Sequence, residues 1–296
     1  MQQIAPFFKP GQPLIKGKPL PRGRQSPVDF LLFKILAALL GLILGSFATC
    51  AAHRLASGGS VLSPARSFCP ACGHTLSWRE NIPLLGWLLQ GGRCRFCQAA
   101  IPLRYPLAEL ASGAFALAAA AVFGPGWHFL VAVGFSTLLL VLSLIDLETF
   151  LLPDVLTLPG AALAFVASTL LPRAHTLGIG WRMAGLGALA GGGGLWLIAW
   201  TYRRIRGEDG LGLGDAKLML LVGSLLGPVA VPLALFAGAV LALPAGLLAA
   251  RRAALQGKGE GLRTALPFGP FLCAGAAAFL LAGPQFLRWW LGCPLP

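Results

Sequence analysis

Apolar runs long enough to cross a bilayer recur along most of this chain. The first extends from about Phe30 to Ala52. Seven more follow at about 105–123, 128–145, 155–172, 183–201, 215–227, 229–250 and 266–287. All but 215–227 approach the ~20 residues needed to cross ~30 Å of hydrocarbon. Hydrophobic residues make up 56% of the chain and charged residues 11%, whereas a soluble domain carries about 25% charged residues. So much apolar surface has the bilayer as its solvent. The expected fold is an all-α polytopic membrane protein of about eight transmembrane helices. The short run is expected to be a broken span or one partly buried in the bundle. The run beginning near Asp29 lacks a small-residue cleavage site and reads as a retained span rather than a signal peptide.

The polar intervals divide the chain. Residues 1–28 form a Pro- and Gly-rich tail bearing Lys9, Lys16, Lys18, Arg22 and Arg24, without helical periodicity. The first span covers 29–52. Residues 53–104 are the longest polar stretch, with six arginines, and form the one candidate soluble module. The membrane-embedded remainder is 105–296. Placing 53–104 in the cytoplasm puts 146–154, 202–214 and 251–265 there too. Thirteen cations then lie inside and eight outside, tail included, as the positive-inside rule favours. The net charge of +13 therefore reflects topology. The expected partner is the lipid bilayer, and no nucleic acid.

Only ten acidic residues are present, so their positions carry information. Asp146 closes one apolar run, in Leu144-Ile145-Asp146-Leu147-Glu148. Asp215 opens another, after Gly212-Leu213-Gly214. In the topology above, both sit at the same membrane face. Two carboxylates delivered from distant segments suit aspartyl proteolysis, in which one activates water and the other polarises the scissile carbonyl. Groups ~3 Å apart share a proton and titrate as a pair. Gly212 and Gly214 would permit backbone angles and a close approach that side chains block, so that an extended substrate could lie against them. Lys217 is expected to meet lipid headgroups or another loop. Asp154, after Pro153, reads as a turn and helix cap, and Glu148 as a boundary acid or the partner of a loop arginine.

Cys69-Pro70-Ala71-Cys72 and Cys94-Arg95-Phe96-Cys97 each have the C-x2-C spacing of a zinc knuckle. Four thiolates close a tetrahedral shell, so the expected ion is structural Zn2+. Gly73 and Gln98 follow each pair, where a tight turn is expected. A redox dithiol needs only one such pair, and an iron–sulfur centre is a further alternative.

Five segments in order resemble the type IV prepilin peptidase family. They are Gly45-Ser46-Phe47 through His53-Arg54-Leu55, Glu80-Asn81-Ile82-Pro83, Leu144-Ile145-Asp146 to Pro153-Asp154, Gly212-Leu213-Gly214-Asp215-Ala216-Lys217 and Leu266-Pro267-Phe268-Gly269-Pro270. Thr49 stands where the family usually has Asn. The resemblance implies a GxGD-type aspartyl membrane endopeptidase of the inner membrane, with its active site facing the cytoplasm. It implies cleavage of a basic leader from prepilins or pseudopilins after a glycine, with Asp146 and Asp215 as the catalytic pair and Asp154 as the alternative for the first of them. It also implies methylation of the new N-terminus from S-adenosylmethionine, with Glu80 and Asn81 as candidates for that site.

Two other classes compete. A proton-coupled transporter would explain intramembrane acids but not the cysteine loop beside them. A non-enzymatic assembly factor would use zinc to dock a partner. His53, His74, His128 and His175 show no ligand spacing with one another. Trp127, Trp181, Trp289 and Trp290 lie near span ends, as interfacial anchors do, and Cys273 reads as a small packed residue. The Gly191–Gly194 run falls inside a span and reads as a site of close helix contact.

Overall fold

The computed structural model describes residues 27–61, 66–207, 212–255 and 266–291. The tail reading for 1–28 falls almost wholly outside them, as do Lys258, Arg263 and Cys293. Among the described residues the architecture is helical, with three isolated bridges and no strand. In chain order the helices are α1 (Pro27–Ala56), α2 (Leu85–Leu89), α3 (Arg104–Phe123), α4 (Trp127–Thr149), α5 (Asp154–Leu170), α6 (Gly180–Ala188), α7 (Gly194–Arg206), α8 (Leu213–Leu226), α9 (Ala230–Leu255) and α10 (Gly269–Leu291). A π-helical turn, Leu189–Gly193, joins α6 and α7 into one rod.

Each apolar run of the sequence coincides with one rod, but the rods are unequal. Six are long and apolar enough to cross a membrane: α1, α3, α4, the α6–α7 rod, α9 and α10. The α5 helix, at 17 residues, and α8, at 14, reach about 25 Å and about 21 Å at 1.5 Å per residue, short of ~30 Å of hydrocarbon. The reason is clearest for α8. Ala216, Leu218, Met219 and every residue from Leu221 to Leu226 are buried, so protein rather than lipid surrounds this helix. An apolar helix wrapped in protein on all sides is a core element.

Small residues set the packing. Lipid tails are as apolar as leucine, so helices associate in membranes mainly through close van der Waals contact. A methyl group at Gly223 of α8 would sit 2.0 Å from the Gly187 carbonyl oxygen of α6, and one at Gly187 would sit 2.1 Å from that of Gly223. A methyl at Gly191 would meet the Met219 carbonyl oxygen at 2.1 Å. The glycine run therefore serves close contact, and the π-helical turn lies at that crossing. At the other side of the bundle α1, α3 and α4 pack on one another, and α10 packs against α4, α8 and α9.

Contacts define two ends. At one end His128 Nε2 lies 2.8 Å from the Pro172 carbonyl oxygen and His175 lies 3.3 Å from Gln285 Nε2. Exposed Trp127, Trp181 and Trp289 begin α4, lie in the first turn of α6 and end α10 at this same end. The opposite end gathers the close of α4 with the starts of α3, α5, α8 and α10, and it holds the acids.

Candidate active site and metal centre

Asp146 lies in the last turn of α4 and is buried. Its Oδ2 accepts a hydrogen bond from the Gly269 N–H at 3.0 Å. Gly269 is the first residue of α10, where backbone N–H groups lack helical partners and the helix dipole favours negative charge. A side chain there would collide, because its Cβ would stand 2.7 Å from Asp146 Oδ2.

Asp215 lies in the first turn of α8, half-buried. Its N–H donates to the Gly212 carbonyl at 3.1 Å. Asp215 lies within electrostatic reach of Asp146. Buried Cys273, one turn beyond Gly269 on α10, lies within the electrostatic reach of both carboxylates. The fold thus brings the two sequence-predicted acids, from α4 and α8, within electrostatic reach of each other, with the start of α10 against Asp146.

The motif glycines behave differently from expectation. Gly212 has φ −65° and ψ 129°, an extended conformation open to any residue, and Gly214 is already helical. Neither needs angles reserved for glycine. Nor does the fold crowd them: a Cβ on Gly212 would lie 3.5 Å from Asp215 Oδ2, and one on Gly214 would lie 3.4 Å from the Leu152 side chain, both ordinary contacts.

Lys217 has a partner that its sequence position does not announce: its Nζ donates to Asp154 Oδ1 at 2.5 Å. Asp154 in turn makes no capping hydrogen bond. Pro153 occupies the cap position, and the Asp154 carboxylate turns to α8 instead. Glu148 pairs with Arg104 at 2.7 Å, and its other oxygen lies 3.9 Å from His53 Nδ1.

The four cysteines converge. Their sulfur atoms all lie within 4.8 Å of one another, and Cys69 Sγ is 3.8 Å from Cys97 Sγ. Tetrahedral Zn–S bonds of ~2.3 Å place sulfurs about 3.8 Å apart, so the donor set fits that ion. Two matching turns build the cluster. The Cys69 N–H bonds the His74 carbonyl and the Gly73 N–H bonds that of Cys69; the Cys94 N–H bonds the Ala99 carbonyl and the Gln98 N–H bonds that of Cys94. Gly73 and Gln98 both take positive φ, 72° and 60°.

Beside this module lies a cavity of about 200 Å³, bounded by the close of α1, the start of α3 and the loop between them. Glu80 and Asn81 both line it, as do Thr49, Trp87 and Glu109. The Ser77 N–H and hydroxyl donate to Glu80 Oε2 at 2.8 and 2.7 Å and hold its carboxyl below the usual range.

Comparison with known proteins places the chain in a family. Residues 39–123 match the bacterial peptidase A24 N-terminal domain, and residues 133–247 match the type IV leader peptidase family. A prepilin leader peptidase/N-methyltransferase of Burkholderia pseudomallei is 40% identical over 274 residues, covering 84% of this chain and 85% of that protein. The chain belongs to the type IV leader peptidase family. Prepilin leader peptidase/N-methyltransferases of Aeromonas hydrophila and Pseudomonas aeruginosa are 36% and 34% identical, each across 88% of this chain and 94% of its relative. No solved structure matches the chain.

Within this leader peptidase fold, several residues around the acids carry no sequence signal of their own. Gly269 belongs to a quoted motif, yet its hydrogen bond to Asp146 spans 123 positions. Cys273 reads in sequence as packing alone. The Pro-Phe-Gly-Pro segment at the start of an apolar run was the available sign that this helix start has a special neighbour.

Proposed function

We propose that this chain is a multi-pass membrane aspartyl endopeptidase that removes the leader from prepilins or pseudopilins and then methylates the new N-terminus. The observation that carries the reading is that Asp146, held at the start of α10, and Asp215 lie within electrostatic reach of each other in a member of the leader peptidase family. That membership sets aside the transporter and the assembly factor.

In the proposed reaction one carboxylate takes a proton from water, and the water oxygen attacks the carbonyl carbon of the leader's terminal glycine. The other, as the acid, donates its proton to the carbonyl oxygen. Collapse of the tetrahedral adduct breaks the C–N bond, and the amine leaves with a proton from the pair. Burial in a low-dielectric bundle strengthens each of these electrostatic interactions. Gly212 and Gly214 leave space for the substrate backbone beside Asp215.

In this scheme residues 53–104 carry the methyl-transfer region, stapled by zinc on Cys69, Cys72, Cys94 and Cys97, and 105–296 carry the peptidase. S-adenosylmethionine supplies an electrophilic methyl on a sulfonium centre. The cavity beside the cysteines suits it, offering the Glu80 carboxylate and Asn81 amide among apolar and aromatic walls. The Glu80 carboxylate would balance the sulfonium charge. The membrane is proposed to be the inner membrane, with the acid-bearing end in the cytoplasm, following the loop cations.

The test is incubation of the purified protein with a prepilin, with and without S-adenosylmethionine, read by intact mass. Cleavage alone without the donor, and cleavage plus one methyl increment with it, is the expected pair of results. An uncut prepilin in both arms would contradict the reading.

A further inference from the structure

The loop module carries an apolar face that neither the peptidase site nor the metal centre uses. On α2, Leu85, Leu88 and Leu89 are 53%, 62% and 79% exposed, and their i, i+3, i+4 spacing puts them on one side. The opposite side is fixed to the module. Gly86 is buried, and a Cβ there would stand 2.2 Å from the Glu80 carbonyl oxygen. Trp87 Nε1 donates to the Ile101 carbonyl at 3.1 Å. The helix is therefore held in one orientation with its leucines outward.

What covers those leucines follows from the depth of α2. The Leu84 N–H, just before α2, donates to Glu109 Oε2 at 2.7 Å. Glu109 is five residues past the start of α3, about 7.5 Å along the axis. Its Cα faces Gly45 of α1, where an added Cβ would stand 2.7 Å away, and α1 continues past Gly45 for about 16 Å. The start of α2 is thus bonded within the length of a candidate span rather than beyond its tip. Outward along α3, Leu103, Leu107 and Leu110 form an exposed stripe at helical spacing. On a helix of this hydropathy the stripe faces lipid.

We infer that α2 is an interfacial membrane anchor: its Leu85–Leu88–Leu89 face inserts at the boundary between headgroups and acyl chains, beside the lipid-facing stripe of α3. Short apolar faces seated in this way gain by burying leucine surface in the acyl boundary. Because Glu80, Asn81, Trp87 and Gln90 line the cavity on the inner side of the same loop, the anchor fixes that cavity at membrane depth. The inference rests on membrane embedding and is independent of the chemistry at Asp146 and Asp215.

The experiment uses the full chain in phospholipid nanodiscs, with p-benzoylphenylalanine in place of Leu88 or Leu89. Leu107 serves as the lipid-facing control and Arg95 as the solvent-facing one. After irradiation, intact mass should show phospholipid adducts at 88 and 89 comparable to those at 107 and several-fold above those at 95. Adducts at the level of 95, or a crosslink to a second copy of the chain, would overturn the inference. A second measurement uses the Leu88→Ser/Leu89→Ser variant, checked for folding by its metal content. Proteolysis of the module in nanodiscs should accelerate several-fold; an unchanged rate would overturn the anchor.

Discussion

At the scale of single residues, Asp146 depends on a neighbour with no side chain. Gly269 both donates a hydrogen bond to its carboxylate and leaves the space that a Cβ would take. A hydrogen bond to a charged group contributes ~1.5–3 kcal/mol. Gly269→Ala should therefore slow prepilin cleavage by about 10- to 100-fold while the protein still purifies folded, measured as initial rate at saturating substrate. Asp154 makes the contrast. Its pair with Lys217 is largely exposed, and such pairs contribute ~0–1 kcal/mol. Asp154→Ala should lower the cleavage rate less than about fivefold. The position of Asp146 was legible in the sequence, since it ends an apolar run within a recognisable segment. Its partner Gly269 was not, because only the folded chain brings together residues so far apart in sequence. The same holds for Lys217, whose spacing from Asp215 says nothing about Asp154 on another helix.

At the scale of elements, α8 shows what hydropathy reads and what it leaves open. A short apolar run was visible between Asp215 and Gly227, but length alone left a broken span and a buried helix both standing. Its all-round burial follows from glycine pairs on neighbouring helices, which carry no periodic signal. Gly223→Val would push a branched side chain into the Gly187 backbone. Overpacking of this kind costs ~1–3 kcal/mol, so the variant should unfold in detergent at a temperature several degrees below wild type. The cysteine module was more legible because spacing alone fixes its two turns. The purified protein should contain one zinc per chain by elemental mass spectrometry. Cys72→Ser should lose that metal and the methyl increment, while cleavage persists at a measurable rate, since the four cysteines lie outside the α4–α8–α10 cluster.

At the scale of the whole molecule, two sets of helices meet at one end. The α1–α3 pair carries the module and its cavity, α4 and α8 carry the acids, and α10 supplies Gly269 beside Asp146. The Arg104–Glu148 ion pair ties the start of α3 to the end of α4, two residues from Asp146. The apolar runs announced this helical membrane architecture. Which runs form full-length rods, and which pack as shorter helices, emerged only from packing. The proposed chemistry has Asp146 and Asp215 acting as one unit, and the most direct measurement compares prepilin cleavage in nanodiscs by wild type, Asp146→Asn, Asp215→Asn and Asp154→Asn. Loss of at least about a thousandfold in each of the first two variants, with cleavage retained in the third, is the expected result, as removing either member of a catalytic pair disables both. Near-normal cleavage by Asp146→Asn or Asp215→Asn would contradict it.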